Sequence, residues 1–390
     1  MKHIVIFVCV AAFIALWFSY TILDHIRNKF IHFSHVERNS DTPFANSTQS
    51  RGNHCAAKKN IFFLKTHKCA SSTIQNILMR FGERNELNIV LPPQSNYLGH
   101  PQLFRRDMAM PLKENSSFNL FCHHTRFNQK EIESLMPENT VFLTILRDPV
   151  ALFESLFAYF DLQKHWRLKL ESVPNVPPRI LPRAHQNRFG QNQMSFDLGL
   201  STLDFNSSDA VRRFIRRLNR RFDFVMIAEK FDESLILLKD LLCWDIEDVI
   251  YFRQNARLES AKIEMNATLE DKLRRLNNAD DQLYKYFNNK FEEMIDKYGR
   301  EKLKVETEDL RRWNSRWHDY CVERVATTNR QVPPQFRTWS DKVLGFHLRP
   351  GIHSHLCESM AKTEIAFTRD LRQHQQERQN SPPPSFFALF

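Results

Sequence analysis

Apolar positions along this chain change period in a repeating order. Ile61-Phe62-Phe63-Leu64 is an unbroken apolar run that ends in the polar Lys65-Thr66-His67-Lys68, after which Ile74, Ile77, Leu78 and Phe81 recur at helical intervals. A short continuous run predicts a strand buried on both faces, and the wider spacing predicts an amphipathic helix. The pattern returns at Val141 to Leu146, followed by Arg147-Asp148-Pro149 and a stripe of Val150, Phe153, Phe157 and Phe160. Asp148 suits the N-cap of that helix and Pro149 its first position. Phe118 to Cys122 and Phe222 to Ala228 are further strand candidates, with helices expected over Val211–Arg221, Phe231–Leu242 and Asn266–Tyr298. Strands alternating with helices predict an α/β fold, a central parallel sheet flanked by helices, whose ligands collect at the C-terminal strand ends.

The ends of the chain carry different patterns. Residues 1–3 read as a short cytosolic tail, and Ile4 to Leu23 form an uncharged apolar stretch long enough for a transmembrane signal anchor. A cleaved signal peptide competes, but its apolar core is normally shorter and no small-x-small cleavage site follows. Residues 24–57 are polar and read as a stem, 58–362 as the catalytic domain, and 363–390, with mixed charge and Pro382-Pro383-Pro384, as a flexible C-terminal tail. The segment 87–119 predicts a long functional or covering loop. The proline-broken segment after Asp161 is a candidate wall of a pocket.

Four glycosylation sequons, at Asn46, Asn115, Asn206 and Asn266, place the domain in the secretory lumen. The cysteines beyond the anchor, Cys55, Cys69, Cys122, Cys243, Cys321 and Cys357, fit an oxidising compartment and leave their pairing open. No metal-ligand spacing stands out, and no metal is expected. A net charge of +10 favours an anionic ligand without choosing it. The anchor and the sequons weigh against nucleic acid. Oligomeric state is not readable.

The two strand–loop–helix units look like halves of one phosphate site. Lys65, Thr66, His67, Lys68, Ser71, Ser72 and Thr73 bring cations and hydroxyls to a helix N-terminus, where backbone N–H groups favour an anion. Arg147 and, farther along its helix, Ser155 supply the second half. A nucleotide P-loop is excluded, because no glycine lies between Gly52 and Gly82.

The segments Leu64-Lys65-Thr66-His67-Lys68-Cys69-Ala70-Ser71-Ser72-Thr73, His123-His124-Thr125-Arg126-Phe127, Arg147-Asp148-Pro149 through Ser155, and Phe231-Asp232-Glu233-Ser234-Leu235 resemble the Golgi galactose-3-O-sulfotransferases. That resemblance implies the P-loop-like sulfotransferase fold, 3′-phosphoadenosine-5′-phosphosulfate (PAPS) as donor, and a β-galactose 3-hydroxyl on a glycolipid or glycoprotein as acceptor. It implies a Golgi membrane protein of type II with a lumenal catalytic domain. Lys65, Thr66, Lys68, Ser71, Ser72 and Thr73 would face the 5′-phosphosulfate, and Arg147 and Ser155 the 3′-phosphate. Arg188 to Asn192 and Phe196-Asp197-Leu198-Gly199 continue the likeness toward the acceptor. His67 is the favoured general base, with His123 and His124 competing, and Lys65 is expected at the leaving oxygen. Cys69 is not expected to act as a nucleophile. A sulfotransferase for another hexose or a uronic acid, and a non-catalytic glycan-binding protein, remain as alternatives.

Overall fold

Burial of every residue in the first run follows from its position inside a sheet. Ile61–Leu64 (β1) lies between Leu120–Phe121 (β2) and Val141–Leu146 (β3), and Phe224–Ile227 (β4) completes a parallel sheet in the order β2-β1-β3-β4. Ile61 pairs with Leu120 on one side and Val141 on the other, and Leu143 pairs with Phe224. The computed structural model describes residues 55–177, 181–254, 262–326, 332–338 and 343–380. The anchor and nearly all of the stem expected from the sequence lie outside these residues. Among the described residues no helix is long and apolar enough to cross a membrane.

Helices cover the sheet much as the periodicity predicts. Ser71–Arg84 (α1) follows β1, and Pro149–Tyr159 (α2) follows β3 with Asp148 accepting from the N–H groups of Val150 and Ala151 at 3.0 and 3.1 Å. Gln193–Asp197 (α3) is short and almost wholly buried. Ser208–Arg221 (α4) buries Val211, Phe214, Ile215 and Leu218 and exposes Arg212, Arg213, Arg216, Arg217 and Arg220, while Arg221 lies over the Phe142 ring; Phe231–Leu242 (α5) packs behind β4.

The expected helix from Asn266 to Tyr298 divides at Asn277 into Ala267–Leu276 (α6) and Asn278–Tyr298 (α7). Asn277 has the reason for the break in its side chain, which donates to Leu273 O at 2.9 Å and accepts from Asn192 N–H at 2.8 Å. Asp280, one turn on, accepts from the N–H groups of Met194 and Ser195 at 3.0 and 2.7 Å. The broken helix therefore anchors α3.

Arg300–Cys321 (α8) leads into a small antiparallel ladder of Val322–Ala326 (β5) and Gly345–Leu348 (β6). His355–Ala361 (α9) is joined to α8 by the Cys321–Cys357 disulfide. Cys55 and Cys243 are each disulfide-bonded, while Cys69 and Cys122 are buried thiols.

The C-terminal segment corrects the expectation of a flexible tail from 363. Glu364–Asn380 is a helix (α10) that buries Ala366, Phe367, Thr368, Leu371 and Gln375. Few of its contacts are of the kind that periodicity detects. Gln375 donates to Ile89 O at 3.1 Å and accepts from Ile89 N–H at 2.7 Å, and Arg372 donates to the carbonyls of Pro92 and Ser95 at 3.0 Å each. Side-chain amides and a guanidinium thus add to the backbone bonds that tie the 87–119 loop to residues 120–126, such as Val90 N–H to Leu120 O and Leu98 N–H to His124 O at 2.8 Å each.

Candidate active site

Between β1 and α1 the chain makes a tight turn without glycine. Lys68 and Ala70 both adopt left-handed conformations, at φ of 58° and 60°, which cost about 1–2 kcal/mol each for residues with a Cβ. Internal hydrogen bonds hold the strained shape. Thr66 Oγ1 donates to Ile145 O at 2.6 Å, Ser71 Oγ donates to Thr66 O at 2.5 Å, and Thr73 Oγ1 accepts from Gln254 N–H at 3.1 Å. Ala70 stands at the N-cap and gives the first-turn N–H groups no side-chain oxygen. Left-handed residues leading into an N-terminus lacking a side-chain cap make a concave set of N–H donors suited to an anion.

Arg147, at the end of β3, ties the two halves together. Its Nη1 donates to Lys68 O at 2.9 Å, and the Lys68 ammonium lies 3.3 Å from the centroid of the Tyr159 ring on α2. Lys68 and Arg147 are half-buried and Ala70 is exposed, so cations and helix N-terminus share one open side. Ser155 is buried on α2, beyond Arg147.

His67 turns the other way, into a cluster of rings. It stacks on His124 with centroids 4.1 Å apart and planes 9° from parallel, and it meets His100 at 4.7 Å and the edge of Phe189 at 5.2 Å. Its Nδ1 lies 2.8 Å from Asp197 Oδ2, its backbone N–H donates to the same oxygen at 2.9 Å, and its Nε2 lies 3.4 Å from the Tyr97 hydroxyl. His124 Nδ1 donates to Lys65 O at 3.0 Å, so its Nε2 is left as the unprotonated nitrogen. Burial first, then the Lys65 charge, lowers the His124 ring well below its ordinary value and keeps it neutral. Tyr97 and Phe160 are half-buried and Phe189 lies behind them, stacked on Phe160 at 3.6 Å. The Arg188 guanidinium lies 5.4 Å from the Tyr97 ring centroid.

Two expected site residues are committed elsewhere. Lys65 is fully buried and its ammonium is ion-paired with Glu364 of α10. Burial lowers it below the ordinary lysine value against the pull of Glu364. His123 is also fully buried, with Nε2 3.0 Å from Thr368 Oγ1 on the same helix, and burial lowers it to about 4. Successive residues of an extended segment point to opposite sides, so His124 meets His67 while His123 meets α10. The thiols of Cys69 and Cys122 are pushed up by burial, which leaves no thiolate in the loop.

The pattern of the chain also omitted partners. Asp197, His100 and Tyr97 surround His67, yet no local spacing joins them. The one available sign was an acidic residue inside the apolar Phe196-Asp197-Leu198-Gly199. Gly199 ends that turn at φ +93°, where a Cβ would lie 2.5 Å from Phe127 O, so no other residue fits without moving the backbone.

A profile of the galactose-3-O-sulfotransferases matches residues 2–375. The chain belongs to this family. It is 37% identical over 333 residues to human (Homo sapiens) galactosylceramide sulfotransferase, covering 81% of this chain and 79% of that one. Pig (Sus scrofa) galactose-3-O-sulfotransferase 2 is 33% identical over 342 residues, 83% of this chain and 85% of the relative. Human galactose-3-O-sulfotransferase 3 is 33% identical over 342 residues, 82% and 78%. For a galactose-3-O-sulfotransferase family member, the Lys68–Arg147 opening and the His67 ring cluster are the two features to which chemistry must be assigned.

Proposed function

We propose that this protein is a carbohydrate sulfotransferase that moves the sulfuryl group of PAPS onto the 3-hydroxyl of a β-galactose residue of a glycolipid or glycoprotein. It would do so in the Golgi lumen, held by a type II anchor at residues 4–23. The observation that carries the reading is the juxtaposition, across one loop, of an anion-shaped helix N-terminus beside Lys68 and Arg147 with a histidine in an aromatic pocket.

The residues fit the donor's charges. Backbone N–H groups of the 68–73 loop, with Ser72, suit the 5′-phosphosulfate, and the Lys68 ammonium is the loop cation on the open side. Thr66, Ser71 and Thr73 hold that loop in shape through the hydrogen bonds above. Arg147 and Ser155 suit the 3′-phosphate. Lys65, expected at the leaving oxygen, supports the site from below through its ion pair. His67 takes the proton from the acceptor hydroxyl, with Tyr97 and Phe160, backed by Phe189, offering apolar faces to the sugar and a polar tip at Tyr97. His124 packs against the base and His123 secures α10. When bound, PAPS supplies an activated sulfuryl group, so no covalent enzyme intermediate is required.

Binding of adenosine 3′,5′-bisphosphate against 5′-AMP tests the donor assignment. The bisphosphate should bind more tightly, and Arg147→Ala should remove the difference at a cost of about 2–3 kcal/mol. Equal affinity of the unaltered protein for both nucleotides would sink the donor site.

A further inference from the structure

Asp197 is fully buried, and its carboxylate is met by N–H groups on every side. Oδ2 accepts from the backbone N–H of His67 at 2.9 Å and faces His67 Nδ1 at 2.8 Å, while Oδ1 accepts from Gln193 Nε2 at 2.8 Å and faces His100 Nε2 at 3.1 Å. An ionised carboxylate offers about four lone-pair sites and no proton, so both ring nitrogens that face it are N–H donors. Burial alone would push this carboxyl up; the hydrogen bonds it receives from His67 and His100 outweigh burial and hold it well below the usual range.

The tautomers follow. With its proton on Nδ1, neutral His67 carries its lone pair on Nε2, the atom that faces Tyr97. His100, with its proton on Nε2, buries Nδ1 without a hydrogen-bond partner among the described residues, and burial lowers it to about 4, so it stays neutral. Asp197, His67 and His100 also bring ligand-type atoms within 4.8 Å of one another.

We propose that Asp197 is the positioning residue of proton transfer: it locks His67 in the tautomer whose only basic nitrogen is Nε2 and aims that atom past Tyr97 at the acceptor. His100 and Gln193 hold the second oxygen, so the carboxylate cannot turn away from His67. The inference rests on His67 being the base. In the step it serves, the acceptor O–H bond breaks, its proton goes to His67 Nε2, and the acceptor oxygen forms a bond to sulfur. The bond from sulfur to the bridging phosphate oxygen breaks, and its electron pair stays on that phosphate.

The first test uses the unaltered, full-length protein with ¹⁵N-labelled histidine, the His67 signals being assigned from their absence in His67→Gln. The expected result is a His67 ring protonated on Nδ1; a ring protonated on Nε2 alone would overturn the proposal. In Asp197→Asn one of the two accepting oxygens becomes an amide NH2 and the negative charge is lost, so His67 and His100 can no longer both donate to this residue and the hold on His67 weakens. Turnover should fall by roughly 100-fold or more, as when a histidine base loses its orienting carboxylate, with affinity for adenosine 3′,5′-bisphosphate kept within about twofold. His67→Ala separates the two layers of the argument. Normal turnover in His67→Ala removes the base itself, whereas loss of turnover there beside normal turnover in Asp197→Asn leaves the base standing and removes the role of Asp197.

Discussion

Lys65 and Lys68 belong to one loop, and burial divides their work. Lys65 is sealed under the turn with Glu364, whereas Lys68 stands beside Arg147 on the open side. Lys68→Ala should therefore weaken adenosine 3′,5′-bisphosphate binding by about 10-fold, the scale of one charge-assisted contact, and leave the melting temperature nearly unchanged. Lys65→Ala should do the reverse. It strands the Glu364 carboxylate and should destabilise the fold by about 3 kcal/mol or more, as seen in thermal unfolding. A Lys65→Ala protein that melts normally and has lost only donor affinity would reverse the assignment. The sequence made the residue types of the loop legible, because hydroxyls and cations before a helical stripe state their chemistry locally. It could not state their partners: Glu364 lies 299 positions from Lys65, and Asp197 lies 130 from His67. Only the folded chain brings those carboxylates to the loop and decides which lysine remains on the open side.

At the scale of elements, the strands and helices around the sheet whose apolar positions form a stripe were legible; α8, which buries Leu303, Leu310 and Trp317, was not expected, nor were elements held by polar contacts. Asp148-Pro149 marked the start of α2, and α5 begins and ends where its periodicity does. The break at Asn277 and the whole of α10 escaped, since both are specified by side chains bonding to distant backbone. The α10 latch has a pH signature. Burial pushes the Glu364 carboxyl up, but the Lys65 charge and the hydrogen bonds from Lys65 and Asn96 outweigh it and leave it below the ordinary value. A carboxyl depressed in the folded state stabilises above its unfolded pKa, and that contribution disappears as pH falls through the folded value. Hydrogen exchange followed down a pH series, corrected for intrinsic rates, should show α10 opening before β1 and β3. Simultaneous loss of protection in α10 and the sheet would show that the ion pair does not govern the helix.

For the whole molecule, the α/β architecture and its parallel sheet were legible because the chain alternates buried strands with amphipathic helices. The secretory expectation is consistent with what the described residues expose. Asn115, Asn206 and Asn266 are all exposed, and Asn266 caps α6 through Oδ1, which leaves its amide nitrogen for a glycan. The Cys321–Cys357 disulfide also suits an oxidising compartment. Protein made in a secretory cell should therefore shift in electrophoretic mobility on treatment with an N-glycosidase and sediment with membranes; an unshifted, unglycosylated chain would contradict a lumenal domain. Specificity for galactose and for one hydroxyl is a property of the full acceptor pocket, which the sequence indicated only by family likeness. The most direct measurement is to incubate the full-length protein with PAPS and a panel of β-galactosyl lipids, β-galactosyl oligosaccharides, glucosides and uronic acid polymers, and to locate the sulfate by NMR. The account predicts sulfate on O3 of terminal β-galactose and none on glucosides or uronic acids. Transfer to another hydroxyl, or to uronic acid in preference to galactose, would contradict it.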